Sequence, residues 1–133
     1  MIYLLDTCTV SDLVKGYPQV LARFRAIPPT DFSVSSITRM EVEYGLQLNP
    51  QRGAKIGPVM EALFSRITIL PFSNVEAKSA GAIHAALRKQ GTPIGAYDVL
   101  IAATALVHGL VLVTSNTGEF RRVSGLNVED WRE

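Results

Sequence analysis

The run Leu110-Val111-Leu112-Val113 is apolar at every position and follows a glycine, Gly109. A strand without polar alternation has no solvated face, so it belongs inside a sheet covered on both sides, as parallel sheets are. Ile2-Tyr3-Leu4-Leu5 reads the same way at the amino end, and Phe32 to Ser35 and Thr68-Ile69-Leu70-Pro71 are two further short strands. A brief last strand is expected near Leu126 to Val128.

Helical stretches separate these runs. Val10 to Lys15 is stopped by Gly16, and a helix from Pro18 to about Ala26 cannot continue through Pro28-Pro29. Ser36 is the expected N-cap of a helix over Ile37 to Leu48 that ends at Asn49-Pro50, and another spans about Ala54 to Ser65. Ser73 with Glu76 has capping-box spacing ahead of a long helix to Arg88, and Tyr97 to His108 forms the next, with Gly109 as its stop. Strands alternating with helices predict an α/β fold with a central parallel sheet.

The chain has 133 residues, a length for one domain over 1–133 that buries roughly two-thirds of its extended surface. Hydrophobic residues are 47% and charged residues 19%, without low-complexity tracts, which excludes a disordered chain. The net charge is +1, too small for a general nucleic-acid coater, so any nucleic-acid contact must be local. One cysteine, Cys8, leaves no internal disulfide and no zinc cluster, and it reads as a buried structural thiol. The amino end lacks a basic leader, and Val99 to Val113 falls short of the ~20 residues of a membrane span, so a cytoplasmic location with no membrane association is expected.

Four carboxylates stand beside these apolar segments: Asp6 after the first strand, Glu41 and Asp98 in apolar helices, and Glu119 past the Leu110 run. Carboxylates gathered in such surroundings repel one another and lose hydration, so protons or a cation must compensate. In a parallel sheet the crevice lies beyond the carboxyl ends of the strands. Asp6 and the segment Thr114-Ser115-Asn116-Thr117-Gly118-Glu119 therefore share a rim if their strands are neighbours. On the Ile37 helix, Glu41 shares a face with Ile37, Tyr44, Gly45 and Leu48, whereas Glu43 sides with Arg39 and is expected to pair with it. Asp98 is the only formally charged side chain from Ile94 to Gly109 and shares the apolar face of Ile101 and Ala102. Donors that are all oxygen favour Mg2+, with Mn2+ as a substitute, over Zn2+, and such an ion suits phosphodiester hydrolysis.

Four blocks in this order resemble the PIN-domain ribonucleases, specifically VapC-type toxins of toxin-antitoxin pairs. They are Leu4-Leu5-Asp6-Thr7, Met40-Glu41-Val42 with Tyr44-Gly45, Tyr97-Asp98 with Ile101-Ala102, and Thr114 with Asn116 and Glu119-Phe120. The resemblance covers almost the whole chain. It implies a three-layer α/β/α sandwich and a Mg2+-dependent endoribonuclease whose acidic site contains Asp6, Glu41 and Asp98, with Asp6 and Asp98 on the metal. Asn116 and Glu119 are further carry-overs. Many relatives have an aspartate where Asn116 stands, and an asparagine where Cys8 stands. Thr7, Thr114 or Ser115 would orient the ligand carboxylates from outside.

The segment Gln90 to Gly95 and the ending Val123 to Leu126 with Glu129-Asp130-Trp131 are similar to the branch that cleaves initiator tRNA in its anticodon loop. A loop with splayed bases suits a nuclease of small net charge. Lys15, Arg121 and Arg122 are candidate phosphate contacts. The family also implies a VapB-type antitoxin, a homodimer, and operator DNA met only through the antitoxin complex. Two other readings fit an acidic α/β pocket: a receiver-like phospho-acceptor domain, and a catalytically silent PIN-fold binding module. The receiver's phosphate-contacting lysine after a late strand is missing here, and the intact acids argue against the silent module.

Overall fold

A computed structural model describes residues 1–133. Five strands form one sheet: β1 (Tyr3–Leu5), β2 (Phe32–Ser35), β3 (Thr68–Leu70), β4 (Val111–Val113) and β5 (Val128–Glu129), in the order β3-β2-β1-β4-β5. Every pairing is parallel. Seven helices complete the fold: α1 (Thr7–Lys15), α2 (Pro18–Arg25), α3 (Ser36–Leu48), α4 (Pro50–Phe64), α5 (Asn74–Gln90), α6 (Ala96–His108) and α7 (Thr117–Phe120).

Side-chain alternation along the strands divides the core in two. Leu4 and Leu112 face a cluster with Ile83, Leu87, Val99, Ile101 and Phe120, from α5, α6 and α7. Their neighbours Leu5 and Val113 face the opposite cluster with Val10, Leu13, Val20, Val42 and Phe64, from α1 to α4. Both faces are thus buried, which is why the strands are apolar without alternation. The result is a three-layer α/β/α sandwich.

Several boundaries differ from the sequence expectation for identifiable reasons. Helix α1 begins at Thr7 rather than Val10, because the Asp6 side chain accepts from the Thr9 amide and caps it. Ser35, not Ser36, caps α3 by accepting from the Ile37 amide, while the Ser36 hydroxyl accepts from the Phe72 amide and ties α3 to the segment after β3. Asn49 ends α3 and also caps α4 through the Arg52 amide, so α4 starts at Pro50 instead of Ala54. Gly53 permits this tight corner, since a Cβ there would stand 2.6 Å from the Leu46 carbonyl oxygen. At the head of α5, Glu76 accepts from both the amide and the hydroxyl of Ser73.

The strand order places a topological switch at β1. The chain builds outward from β1 to β2 and β3, then crosses to β4 and β5 on the other side. Leu5 is in register with Val113, so Asp6 and Thr114 emerge side by side at the carboxyl ends of adjacent strands. This is where a doubly wound sheet opens a crevice.

Candidate active site

Asp6 is 3% exposed and is held at both carboxylate oxygens. Its Oδ1 accepts from the Thr9 amide at 2.8 Å and its Oδ2 from the Thr114 hydroxyl at 2.5 Å. The Thr9 hydroxyl in turn donates to the Val113 carbonyl, fixing the start of α1 on the end of β4. Burial pushes the Asp6 carboxyl above its ordinary range, against the opposing pull of the Thr114 and Thr9 hydrogen bonds. A cation would favour the ionised form that burial disfavours.

Glu41 is half-buried on α3, and the Thr7 hydroxyl lies 2.7 Å from its Oε1 and 3.2 Å from the Thr38 hydroxyl. Thr38 is fully buried, so this short polar chain anchors Glu41 to the start of α1. Asp98 projects from the first turn of α6 and is half-buried. Its carboxyl is pushed up to about 7, first by burial, then by hydrogen bonding with Glu119 and by the charges of Glu119, Asp6 and Glu41. Gly95 leaves room for it: a Cβ there would stand 3.2 Å from Asp98 Oδ2.

Glu119 comes from α7, an element the sequence pattern did not reveal because it is only four residues long. It faces Asp98 rather than Asp6. The Asn116 side-chain amide donates to its Oε2 at 2.6 Å, and the Asn116 backbone amide donates to the Thr114 hydroxyl. Thr114 therefore links Asp6 to the segment carrying Asn116 and Glu119. Ser115 is half-buried beside it, and the hydroxyl that bonds Asp6 belongs to Thr114.

The remaining candidates are dispersed. Lys15 is exposed and lines a groove that also contains Thr7 and Glu41. Arg121 is exposed, while the Arg122 guanidinium donates to the Pro93 carbonyl at 2.8 Å and lines a depression beside α5. Cys8 is exposed, not buried: the first turn of α1 turns it outward. Although its surface is open, desolvation of the sulfur by the atoms packed around it and the nearby Asp6, Asp98 and Asp12 carboxylates push its thiol up to about 11, so it is a poor nucleophile at neutral pH. Arg39 pairs with Glu61 of α4 rather than Glu43, which lies 3.5 Å from Gln47. Asp12, which the sequence reading did not single out, is 5% exposed and forms a two-point pair with Arg132.

Ion pairs elsewhere use Met1, Arg23, Arg39 and Arg132, and none reaches Asp6, Glu41, Asp98 or Glu119. No ion pair relieves the cluster, and the donors are all oxygens, which fits a hard divalent ion. The carboxylates do not close as three or more around one point. They form an open acidic rim, a form suited to an ion that keeps water and takes substrate phosphate as ligands.

The PIN-domain family model matches residues 3–126. The chain is 37% identical over 131 residues to the tRNA(fMet)-specific endonuclease VapC of Salmonella typhimurium, covering 97% of each. It is 41% identical over 130 residues to ribonuclease VapC2 of Haemophilus influenzae, again covering 97% of each. The crystal structure of DNA-bound VapBC from Salmonella typhimurium superposes with a TM-score of 0.88 at 38% identity, covering 98% of both chains. PIN-domain nucleases are generally dependent on a divalent metal. With its acidic rim at the switch point of a parallel sheet and these relatives along nearly its full length, the chain belongs to the PIN-domain family, in its VapC ribonuclease branch.

Proposed function

We propose that this protein, as the ribonuclease toxin of a toxin-antitoxin pair, uses Mg2+ to hydrolyse a phosphodiester bond in the anticodon loop of initiator tRNA. The observation that carries the chemistry is the open rim of four carboxylates, Asp6, Glu41, Asp98 and Glu119, at the carboxyl ends of β1 and β4, with no ion pair to any of them. The tRNA target is supported by the Salmonella relative named for that activity, which aligns along nearly the whole chain.

Asp6 and Asp98 are the residues that would hold the ion, with Mn2+ able to substitute. When bound, it supplies charge neutralisation at the phosphate and activation of water. Asp98 would hold the ion in its ionised form, so its proton would be released to solvent on loading. Thr114 and Thr9 fix the Asp6 carboxylate, and Asn116 fixes Glu119 beside Asp98. The Thr7 hydroxyl donates to Oε1 of Glu41, leaving Oε2 to take the proton of the attacking water. As the new P–O bond to water forms and the old one breaks, the leaving ribose oxygen takes a proton from solvent, which the open rim admits.

The partner is a small VapB-type antitoxin that places an arginine or lysine among the acids, since a carboxylate cluster receives a forked cation well. The toxin acts as a homodimer in the cytoplasm and meets operator DNA only through the antitoxin complex. Support comes from the similar DNA-bound VapBC assembly. No helix is long and apolar enough to cross a membrane.

The test is to purify the chain free of antitoxin and map the ends produced from total RNA with Mg2+, with chelator, and with Asp6→Asn. A single cut in the initiator tRNA anticodon loop, lost with chelator and with Asp6→Asn, is expected. Cuts elsewhere in RNA would overturn the target, and metal-independent cleavage would overturn the mechanism.

A further inference from the structure

Two depressions flank the acid rim and share Thr7 and Glu41 as lining residues. On one side a cleft of about 390 Å3 is completed by Met40, Tyr44 and Tyr97. Tyr44 is 63% exposed, Tyr97 51% and Met40 40%. Such a patch of large side chains beside a polar site marks an interaction surface rather than unfinished core.

Both tyrosines ride on elements that carry a site acid. Tyr44 stands one helical turn after Glu41 on α3, and Tyr97 directly precedes Asp98 on α6. On the other side of Glu41, a groove of about 270 Å3 between α1, α3 and α4 is lined by Lys15 and Arg52. Neither cation is committed to an ion pair. One strip of surface thus runs from aromatic, through acidic, to basic.

We propose that the Tyr44–Tyr97 cleft is a stacking subsite for an unpaired base of the RNA, with the adjoining phosphates led across Glu41 toward Arg52 and Lys15. This rests on the ribonuclease reading and names how that site chooses its substrate. Aromatic faces accept splayed bases of single-stranded loops, and a duplex cannot offer them. A protein segment would also cover the tyrosines. RNA is favoured because the cleft shares Thr7 and Glu41 with the acid rim, and because the free cations on the far flank match a polyanion leaving it. Preference for an unpaired loop then arises beside the acids rather than from a global basic surface.

The test is binding of a fluorescent anticodon stem-loop RNA to the chain carrying Asp98→Asn, which separates binding from cleavage. Added Tyr44→Ala or Tyr97→Ala should weaken binding roughly tenfold, whereas Tyr44→Phe and Tyr97→Phe should keep it. Making the loop nucleotides abasic should abolish the difference between Tyr and Ala. Arg52→Ala should weaken binding and flatten its salt dependence. In the otherwise unaltered chain, the alanine variants should raise KM for RNA more than they lower kcat.

Alanine variants that bind RNA like their parent would overturn the subsite. If they instead lose self-association or antitoxin binding with RNA affinity intact, the cleft is a protein interface. Failure of the unsubstituted chain to cut RNA with Mg2+ would sink the ribonuclease reading itself. Cleavage with an unchanged KM in the tyrosine variants would sink the stacking subsite alone.

Discussion

The Thr114 hydroxyl donates to Oδ2 of Asp6 at 2.5 Å, joining the carboxyl ends of two adjacent parallel strands. Thr114 is fully buried, and the same hydroxyl accepts from the Asn116 amide, so one oxygen orients Asp6 and shapes the segment leading to Glu119. Thr114→Val keeps the volume and removes both bonds. It should lower metal affinity roughly 10–100-fold, the usual effect of losing an orienting partner. Mg2+ titration of RNA cleavage reads this directly, and an unchanged Mg2+ requirement would show that Asp6 needs no such support.

Asp98 makes stability depend on pH in an unusual direction. Its folded carboxyl titrates near 7 against an ordinary value of 3.8, so between about pH 4 and 7 the folded chain holds more protons than the unfolded one. Stability in the absence of metal should therefore fall as pH rises through that window. Asp6 acts in the same direction. Thermal melts with chelator should show a declining midpoint from pH 5 to 7.5, flattened in Asp98→Asn and reversed by Mg2+. A midpoint that climbs steadily through this window would contradict the acid cluster.

Gly95→Ala should impair activity without unfolding the protein. The added Cβ would lie 3.2 Å from Asp98 Oδ2 and displace that carboxylate by a few tenths of an ångström. The backbone at φ −55° accepts alanine. A several-fold loss of activity, partly restored by excess Mg2+, is expected because small displacements of reacting groups are costly. Equal activity at limiting Mg2+ would mean that Asp98 tolerates the shift.

The carboxyl-terminal residues are latched to α1. Arg132 donates from Nε and from one terminal nitrogen to the two oxygens of Asp12 at 2.8 and 2.7 Å, and its guanidinium covers the Tyr17 ring at 4.9 Å. Trp131, beside it, is 2% exposed. Arg132→Ala leaves the buried Asp12 carboxylate without its partner and should lower Tm by roughly several degrees. Arg132→Lys should recover only part of this, since an ammonium cannot form the paired contact. Calorimetry of the two variants provides the comparison.

Much of the architecture is legible in the residue order. The apolar runs at Leu4-Leu5 and Leu112-Val113 require burial on both faces, and Gly16, Gly91 and Gly109 end helices with positive φ where the pattern stops. Local signals were less able to decide which of two adjacent residues caps a helix. Ser35 and Ser36 have the same chemistry, and the choice depends on Ser36 finding the Phe72 amide from a segment far along the chain. The same limit applies to Arg39, which has Glu43 one turn away and takes Glu61 because α4 packs across α3.

Residue order by itself determined an α/β fold with a parallel sheet and named the acids that stand next to apolar segments, because periodicity and desolvation are local properties of a chain. Only the tertiary structure decided that Glu119 meets Asp98 while Thr114 meets Asp6, that Cys8 faces outward, and that Asp12 is matched by Arg132. Those pairings span long separations in sequence, and they follow from strand order and helix orientation, which no short window of residues contains.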